Sequence, residues 1–306
     1  MIVIGESIHV LSAKVKEAIA NRDTAYIQSL AKEQVEKGAH IVDLNIGPQK
    51  KEGVEVMSWI VRAVQDAVDV PISLDTTNSA AIEAGLRLVR KQALINSTDA
   101  TAERLAAMMP LAAEYGAGIV ALTLGTTGLP TSADARISLA VDSIIPSAME
   151  NNVAMENIYF DPLVLTVNGN QDQAQQTVEA VRFFRQMSDP PPKTTCGLSN
   201  ISNGAPKEMR PLINRVFLVM MMGAGLDTAI LDPLDDEIMN VLRMVENRDT
   251  SSALGRLYVG LFDNYADGAP FDCSQADLGD SAQKDVCKTV DMLENKFIYA
   301  HSYLRL

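Results

Sequence analysis

Apolar runs of strand length recur along this chain, and each run ends in a polar residue. There are eight such runs, and seven of them end in a carboxylate or a carboxamide. The predicted strands are 3–6, 41–45, 72–75, 94–96, 119–123, 158–161, 195–200 and 229–232. The chain between successive runs is long enough for one helix, and strands that alternate with helices indicate a parallel sheet. Eight such units predict an α/β fold, a closed (β/α)8 TIM barrel.

The segments between the runs show the single apolar stripe expected of outer barrel helices. We expect helices over 54–68, 102–115, 137–149 and 178–187. The eighth helix should begin near Asp235 and Asp236, because carboxylates suit the positive amino end of a helix. Lys193 follows three prolines and should begin strand seven, at the end of the barrel opposite the catalytic mouth. A Schiff-base lysine is therefore not expected.

The length of 306 residues suits one barrel domain, 1–306, of roughly 250 residues plus an insertion. From about 247 to 284 the composition shifts to Asp, Gly, Ser and Ala, and the barrel rhythm is lost. We interpret this segment as an insertion within the last βα unit. Apolar residues return with helical spacing over 286–306, which predicts a closing helix.

Net charge and cysteine usage narrow the class of protein. The formal net charge is −13, so the chain lacks the excess of basic residues expected of a nucleic-acid-binding protein. Cys196, Cys273 and Cys287 are far apart and odd in number, so we expect reduced thiols. The three histidines lack the spacing of a metal site, and no apolar stretch is long enough to cross a bilayer. We expect a soluble cytoplasmic protein with no bound metal and no membrane partner.

The side chains at the strand ends are suited to hydrogen bonding rather than to nucleophilic attack. They carry Asp75, Asn96, Asp161, Asn200 and Asp232, and we expect no Cys, His or Lys beside them. A carboxylate can accept two parallel N–H bonds from an amidine-like edge, and a carboxamide can match a mixed edge. Each residue alone could be a helix cap. Together, at the mouth where barrel active sites lie, they suit a flat, nitrogen-rich heterocycle such as a pterin.

The motifs at these strand ends resemble those of the methyltetrahydrofolate:corrinoid methyltransferases, which include the enzyme that methylates a corrinoid iron-sulfur protein. The resemblance covers about residues 1–245 and the closing helix. It rests on Gly5-Glu6, Asp43-Leu44-Asn45-Ile46-Gly47-Pro48, Leu74-Asp75-Thr76-Thr77-Asn78, Ile95-Asn96-Ser97-Thr98, Asp161-Pro162-Leu163, Gly197-Leu198-Ser199-Asn200-Ile201-Ser202 and Arg210-Pro211-Leu212-Ile213-Asn214-Arg215.

The resemblance implies reversible transfer of the N5 methyl group between methyltetrahydrofolate and the cobalt of a corrinoid, as Co(I) or methyl-Co(III). The cobalt would be supplied by a separate corrinoid protein, and a homodimer is expected. By this resemblance Asp75, Asn96 and Asp161 bind the pterin, and Asn200 binds it and acts as the catalytic residue at N5. A secondary network is implied for four further residues: Glu6, Asp43, Ser199 and Asn203.

Two departures and two alternatives accompany this resemblance. The acidic segment from about 247 to 284 exceeds the shorter family members. The family segment Gly-Glu-Arg-Ile-Asn reads Gly-Glu-Ser-Ile-His here, with Ser7 and His9 in place of Arg and Asn. The first alternative is a pterin enzyme like dihydropteroate synthase, although the basic residues usual on its late strands are not found. The second is a folate-binding protein without turnover, which would have no need for Asn200.

Overall fold

Parallel strands form the centre of the molecule, as the sequence predicts. The computed structural model describes residues 1–305 and contains one eight-stranded sheet. The strands are β1 (Ile2–Gly5), β2 (Ile41–Asn45), β3 (Ile72–Asp75), β4 (Leu94–Thr98), β5 (Gly118–Leu122), β6 (Ile158–Asp161), β7 (Lys193–Thr194) and β8 (Thr228–Leu231). Each strand pairs with the next in the chain up to β7, and β8 pairs with β1. A parallel bridge between Gly197 and Ile230 joins the ends of the sheet, so the (β/α)8 barrel is confirmed.

Helices surround this sheet. They are α1 (Ala13–Asn21), α2 (Thr24–Glu36), α3 (Gly53–Gln65), α4 (Ser79–Leu86), α5 (Ala102–Tyr115), α6 (Ala133–Leu139), α7 (Ile145–Glu150), α8 (Val167–Asn170), α9 (Gln173–Phe184), α10 (Arg210–Gly223), α11 (Asp236–Glu246), α12 (Ala253–Ala266) and α13 (Ser281–Leu293). Within residues 1–305, no helix combines the length and apolar character that a membrane span requires.

The period of two along each strand separates the barrel interior from the helix-facing side. In β2, Val42 and Leu44 pack among the helices, whereas Ile41 belongs to a small apolar cluster with Leu94 and Val120. Residues two positions farther along the same strands face the same side, which brings polar groups into the layer above this cluster. The polar ends of the runs therefore meet inside the barrel at its carboxyl mouth.

Most of the predicted elements are confirmed, and strand seven is not. Strands β2, β3 and β6 have the predicted bounds, and α5 coincides with 102–115. Strand seven was predicted at 195–200, but β7 ends at Thr194 and a 3-10 turn occupies Leu198–Ser202. Lys193 does begin the strand, and its ammonium group lies 3.0 Å from the Tyr159 hydroxyl.

Two helix predictions need revision. The segment 137–149 contains α6, a π-helical turn at Ala140–Ile144 and α7 rather than one helix. The closing helix α13 begins earlier than predicted and ends at Leu293, close to Asn295, which adopts a left-handed φ of 59°. The last residue of the predicted helix, Leu306, lies outside the described residues. The eighth barrel helix does begin at Asp236, and the Asp235 carboxylate caps it by accepting two backbone N–H bonds.

Residues 247–284 contain helix α12 and a loop that leads into α13. The apolar side chains of α12 pack into the core that also contains α10, α11 and α13, so the segment covers the barrel side near β8. Whether it is an insertion stays a prediction. Cys273 in this segment forms a disulfide with Cys287 of α13, with the two Cα atoms 5.9 Å apart. The expectation of reduced thiols is therefore wrong for this pair, while Cys196 is a buried free thiol.

The disulfide closes a loop between residues 14 positions apart. We expect Cys273→Ala to lower the free energy of unfolding by at most about 3 kcal/mol, because the bridge restricts the unfolded chain. Urea denaturation without reductant measures this difference. With dithiothreitol present, wild type and variant should denature at nearly the same urea concentration. A variant as stable as the oxidised wild type would contradict the prediction.

Candidate functional site

A cavity of about 380 Å³ opens at the carboxyl ends of the strands, a volume within the usual range for small-molecule sites. The residues implied by the sequence line it, except Asn203 and Asp232, and they come from several different strands or the turns that follow them. The lining consists of Glu6, His9, Leu11, Asp43, Asn45, Asp75, Asn96, Ser97, Leu122, Asp161, Gly197, Ser199, Asn200 and Ile230.

Asp43 and Asp75 form the centre of a hydrogen-bonded network on β2, β3 and β4. The Asp43 carboxyl accepts from the Ser73 hydroxyl and, at 3.1 Å, from the Asn96 amide. The Asp75 carboxylate accepts from the Asn45 amide at 2.5 Å. Cross-strand register explains two of these pairs, because Asp43 lies opposite Ser73 and Asn45 lies opposite Asp75. The network fixes three of the strand ends relative to one another.

Burial raises the pKa values of Asp43 and Asp75. Burial and the neighbouring Asp75 charge raise the pKa of Asp43 well above its usual range. Burial also raises the pKa of Asp75 to about 6, an effect opposed by hydrogen bonds from Asn45 and Asp43. Two adjacent buried carboxyls cannot both be ionised at low cost. At neutral pH the proton therefore resides on Asp43, and Asp75 is the carboxylate.

Asp161 lies at the end of β6 and is 6% exposed. Burial raises its pKa to about 6, while hydrogen bonds from the backbone N–H groups of Leu163 and Gly197 and the charge of Arg136 oppose that rise. The Leu163 N–H donates to Asp161 Oδ1 at 2.7 Å. Arg136 is fully buried and donates to the carbonyl oxygens of Pro162, at 2.6 Å, and Leu163. Asp161 is thus a second, firmly oriented carboxylate at neutral pH.

Glu6 directly follows β1 and lies beside the turn that carries Asn200. Burial raises the pKa of Glu6 to about 7, the charge of Asp232 adds to the rise, and a hydrogen bond with Ser199 opposes it. Asp232 itself accepts from the Ser7 hydroxyl at 2.9 Å. Glu6 therefore keeps a proton on a large fraction of molecules near neutral pH, next to the residue that precedes Asn200.

Asn200 lies in the 3-10 turn Leu198–Ser202 and exposes its carboxamide to the cavity. Asn203 is outside the lining, and its amide donates to Asn200 Oδ1 at 3.3 Å. The sequence motif thus places Asn200 correctly at the mouth, although on a turn rather than at the end of a strand. The turn leaves this carboxamide more exposed than the other polar groups of the lining.

The model for the family described as pterin binding enzyme matches residues 12–232. The chain belongs to this family. A methylcorrinoid:tetrahydrofolate methyltransferase of Eubacterium limosum is 29% identical over 244 residues, which cover 79% of this chain and 89% of that protein. A methionine synthase of Mycobacterium tuberculosis is 31% identical over 285 residues, which cover 85% of this chain but 24% of that protein.

Solved structures of dihydropteroate synthases share the fold. A dihydropteroate synthase from Thermus thermophilus, in complex with 6HMPPP, superposes with a TM-score of 0.55 at 18% identity. The superposition covers 79% of this chain and 93% of that one. At this identity the likeness establishes the barrel fold only. The reaction must be inferred from the residues of the mouth.

The structure adds to the mouth residues that the sequence analysis does not assign to ligand binding. Asn45 follows Asp43 by two positions on β2, so strand alternation could have placed it in the mouth. His9 also lines the cavity, and its backbone pairs with Asn45, so the expectation of a mouth without histidine is wrong. Leu11 lies on the rim and is 90% exposed. Among residues 1–305, acidic, histidine and cysteine side chains nowhere form a group of three or more suited to a metal ion.

The protonation of Glu6 should be visible in the stability of the protein. Its pKa rises from 4.5 to about 7 on folding, so the folded state binds the proton more tightly. The resulting stability is present below pH 4.5 and is lost as the pH rises through 7. We expect Glu6→Gln to exceed wild type in free energy of unfolding by up to about 3 kcal/mol at pH 8, and by little at pH 5.

Urea denaturation at the two pH values measures this difference. Glu55→Gln, at an exposed position of α3, serves as the matched control and should show the same small effect at both pH values. If Glu6→Gln changes stability equally at pH 5 and pH 8, Glu6 is not the buried acid described here.

Proposed function

We propose that this protein is a methyltransferase that moves the N5 methyl group between methyltetrahydrofolate and the cobalt of a corrinoid. Membership of the pterin binding family and the similarity to a methylcorrinoid:tetrahydrofolate methyltransferase over most of both chains support this proposal. The observation that carries it is the convergence of Asp75, Asn96, Asp161 and Asn200 on one cavity of small-molecule size.

The two carboxylates and the Asn96 carboxamide suit recognition of the pterin ring. Asp75 and Asp161 come from different strands, β3 and β6, so they can accept N–H bonds from separate edges of one flat ligand. The Asn96 amide already donates to Asp43, which leaves its carbonyl oxygen available to a ligand. Hydrogen bonds to buried carboxylates are strong, because one partner is charged.

Methyl transfer from folate needs a proton at N5, because a tertiary amine leaves poorly as an anion. The carboxamide of Asn200 can hydrogen-bond N5 but cannot supply a proton at neutral pH. Glu6 holds a proton near neutral pH and hydrogen-bonds Ser199, the neighbour of Asn200. We infer that Glu6 serves as the proton reservoir and that water or Ser199 connects it to N5.

The corrinoid is the second substrate and supplies the nucleophile. A separate corrinoid protein would carry it to the open mouth, and the side chains of the mouth need only position the folate and manage its proton. The methionine synthase relative is about four times as long as its matched part, so its complete reaction is not assigned to this chain. A homodimer and a cytoplasmic location stay predictions of the sequence.

The test is anaerobic stopped-flow absorbance. Co(I) cobalamin is mixed with the protein and methyltetrahydrofolate, and loss of the Co(I) band is followed together with growth of methylcobalamin. Enzyme-dependent conversion is the expected result. Formation of dihydropteroate from a pterin diphosphate and 4-aminobenzoate would instead favour the dihydropteroate synthase alternative, which the shared fold keeps open.

Asn200→Ala should lower the rate of methyl transfer by about 10²- to 10³-fold, as loss of one preorganised transition-state donor does. Binding of tetrahydrofolate should change little if the carboxamide acts mainly in the transition state. Single-turnover stopped flow gives the rate, and titration calorimetry gives the dissociation constant. An unchanged rate would favour a binding protein without turnover. Asn203→Ala, outside the lining, is the control and should have the smaller effect.

Asp75→Asn should instead weaken binding of tetrahydrofolate. The change replaces one of the two ionised acceptors of the mouth by a neutral carboxamide and removes the carboxylate that accepts from the Asn45 amide. Loss of a charge-assisted hydrogen bond costs about 1.5–3 kcal/mol, which corresponds to roughly 10- to 150-fold in affinity. Titration calorimetry at pH 7.5 measures it. Wild-type affinity in this variant would exclude Asp75 as a pterin contact.

A further inference from the structure

Arg104 connects the loops that follow two neighbouring strands of the mouth. It is half-buried in the first turn of α5, and its guanidinium group donates five hydrogen bonds. Two go to the Ser97 carbonyl oxygen, at 3.1 Å from Nε and 2.8 Å from Nη2. The others go to the carbonyl oxygens of Thr77, at 3.0 Å, and Thr76, at 3.3 Å, and to the Ser79 hydroxyl, at 3.2 Å.

These acceptors stand directly beside two lining residues. Thr76 follows Asp75 at the end of β3, and Ser97 follows Asn96 within β4. One planar guanidinium group therefore spans the two strand ends from the outside, while Asp43 joins the same strands from the inside through Ser73 and Asn96.

The helix dipole and burial both make the position of Arg104 unfavourable for a cation. The first turn of a helix carries the positive end of the helix dipole, which favours acidic residues there. Burial lowers the pKa of the guanidinium, and only the charge of Asp99 opposes this effect. Among its five hydrogen bonds, four are to backbone carbonyl oxygens. Neither helix stability nor a surface ion pair accounts for this arrangement.

We propose that Arg104 is a positioning residue for folate binding, which sets the distance between the Asp75 and Asn96 side chains by holding the backbone that follows each of them. The inference rests on the proposed function, because it concerns the same cavity. It means that folate binding requires a fork-shaped donor outside the cavity in addition to the residues that line the mouth.

A lysine cannot replace this fork. Its ammonium group keeps the charge but presents three donors from a single point, whereas the guanidinium reaches several carbonyl groups in fixed directions. Arg104→Lys should therefore fold and yet let the two strand ends shift. Loss of a charge-assisted hydrogen bond weakens binding roughly 10- to 150-fold, so a displaced Asp75 carboxylate should give a roughly 10- to 100-fold higher dissociation constant for tetrahydrofolate.

The experiment combines binding, kinetics and chemical rescue. Titration calorimetry with tetrahydrofolate compares wild type, Arg104→Lys, Arg104→Ala and the control Arg87→Ala, whose exposed side chain pairs with Glu83 and Tyr115 on the barrel surface. In the methyl-transfer assay, KM for methyltetrahydrofolate should rise in both Arg104 variants, while kcat changes by less than KM, because Asn200 lies on a different loop.

Rescue separates positioning from a general loss of structure. Guanidinium ion at concentrations far below those that denature proteins should restore part of the folate affinity of Arg104→Ala, and ammonium ion should not. Arg87→Ala should bind folate as wild type does. Wild-type affinity in Arg104→Lys, or equal effects of the two ions, would overturn the assignment alone. If wild type itself binds no tetrahydrofolate, the proposed function and this assignment both fail.

Discussion

Four acidic side chains share the upper layer of the barrel interior, and this crowding determines the chemistry of the mouth. All four of these side chains, Glu6, Asp43, Asp75 and Asp161, have raised pKa values, mainly because burial disfavours their charge. They cannot all ionise together. The site therefore contains carboxylates that accept and carboxylic acids that donate at the same pH, which a set of exposed acids could not provide.

In the part of the chain that the structure describes, the arginines beside the mouth do not form ion pairs with these acids, so some of the acids stay protonated while others are ionised. Arg104 and Arg136 hold loops beside the mouth, and both donate mainly to backbone carbonyl oxygens rather than to the acids themselves. A direct ion pair would hold an acid ionised and occupy the oxygens that a ligand must reach. Because the arginines act on the loops instead, Asp75 and Asp161 keep acceptor capacity that faces the cavity.

The sequence predicts the parts of this arrangement that depend on local periodicity, namely the barrel and the inward-facing Asp43 and Asp75. It does not predict the turn at 198–202, because an apolar run with a polar end does not distinguish a strand from a 3-10 turn. The disulfide and the contact of His9 with the mouth were missed because they join segments that meet only in three dimensions. In the sequence, Arg104 looks like an ordinary helix residue. Its acceptors are mainly backbone carbonyl groups, which every residue has, so the sequence does not reveal them.

The proposed reaction gives the protonated Glu6 a role in both directions. Transfer of methyl from folate to Co(I) consumes one proton at N5, and the reverse transfer releases it, so the overall equilibrium depends on pH whatever the protein does. A group with a pKa of about 7 can give and recover that proton with little cost near neutral pH. At a given pH, the concentrations of the folates and the corrinoid then set the direction of transfer, and the same proton path can serve both directions.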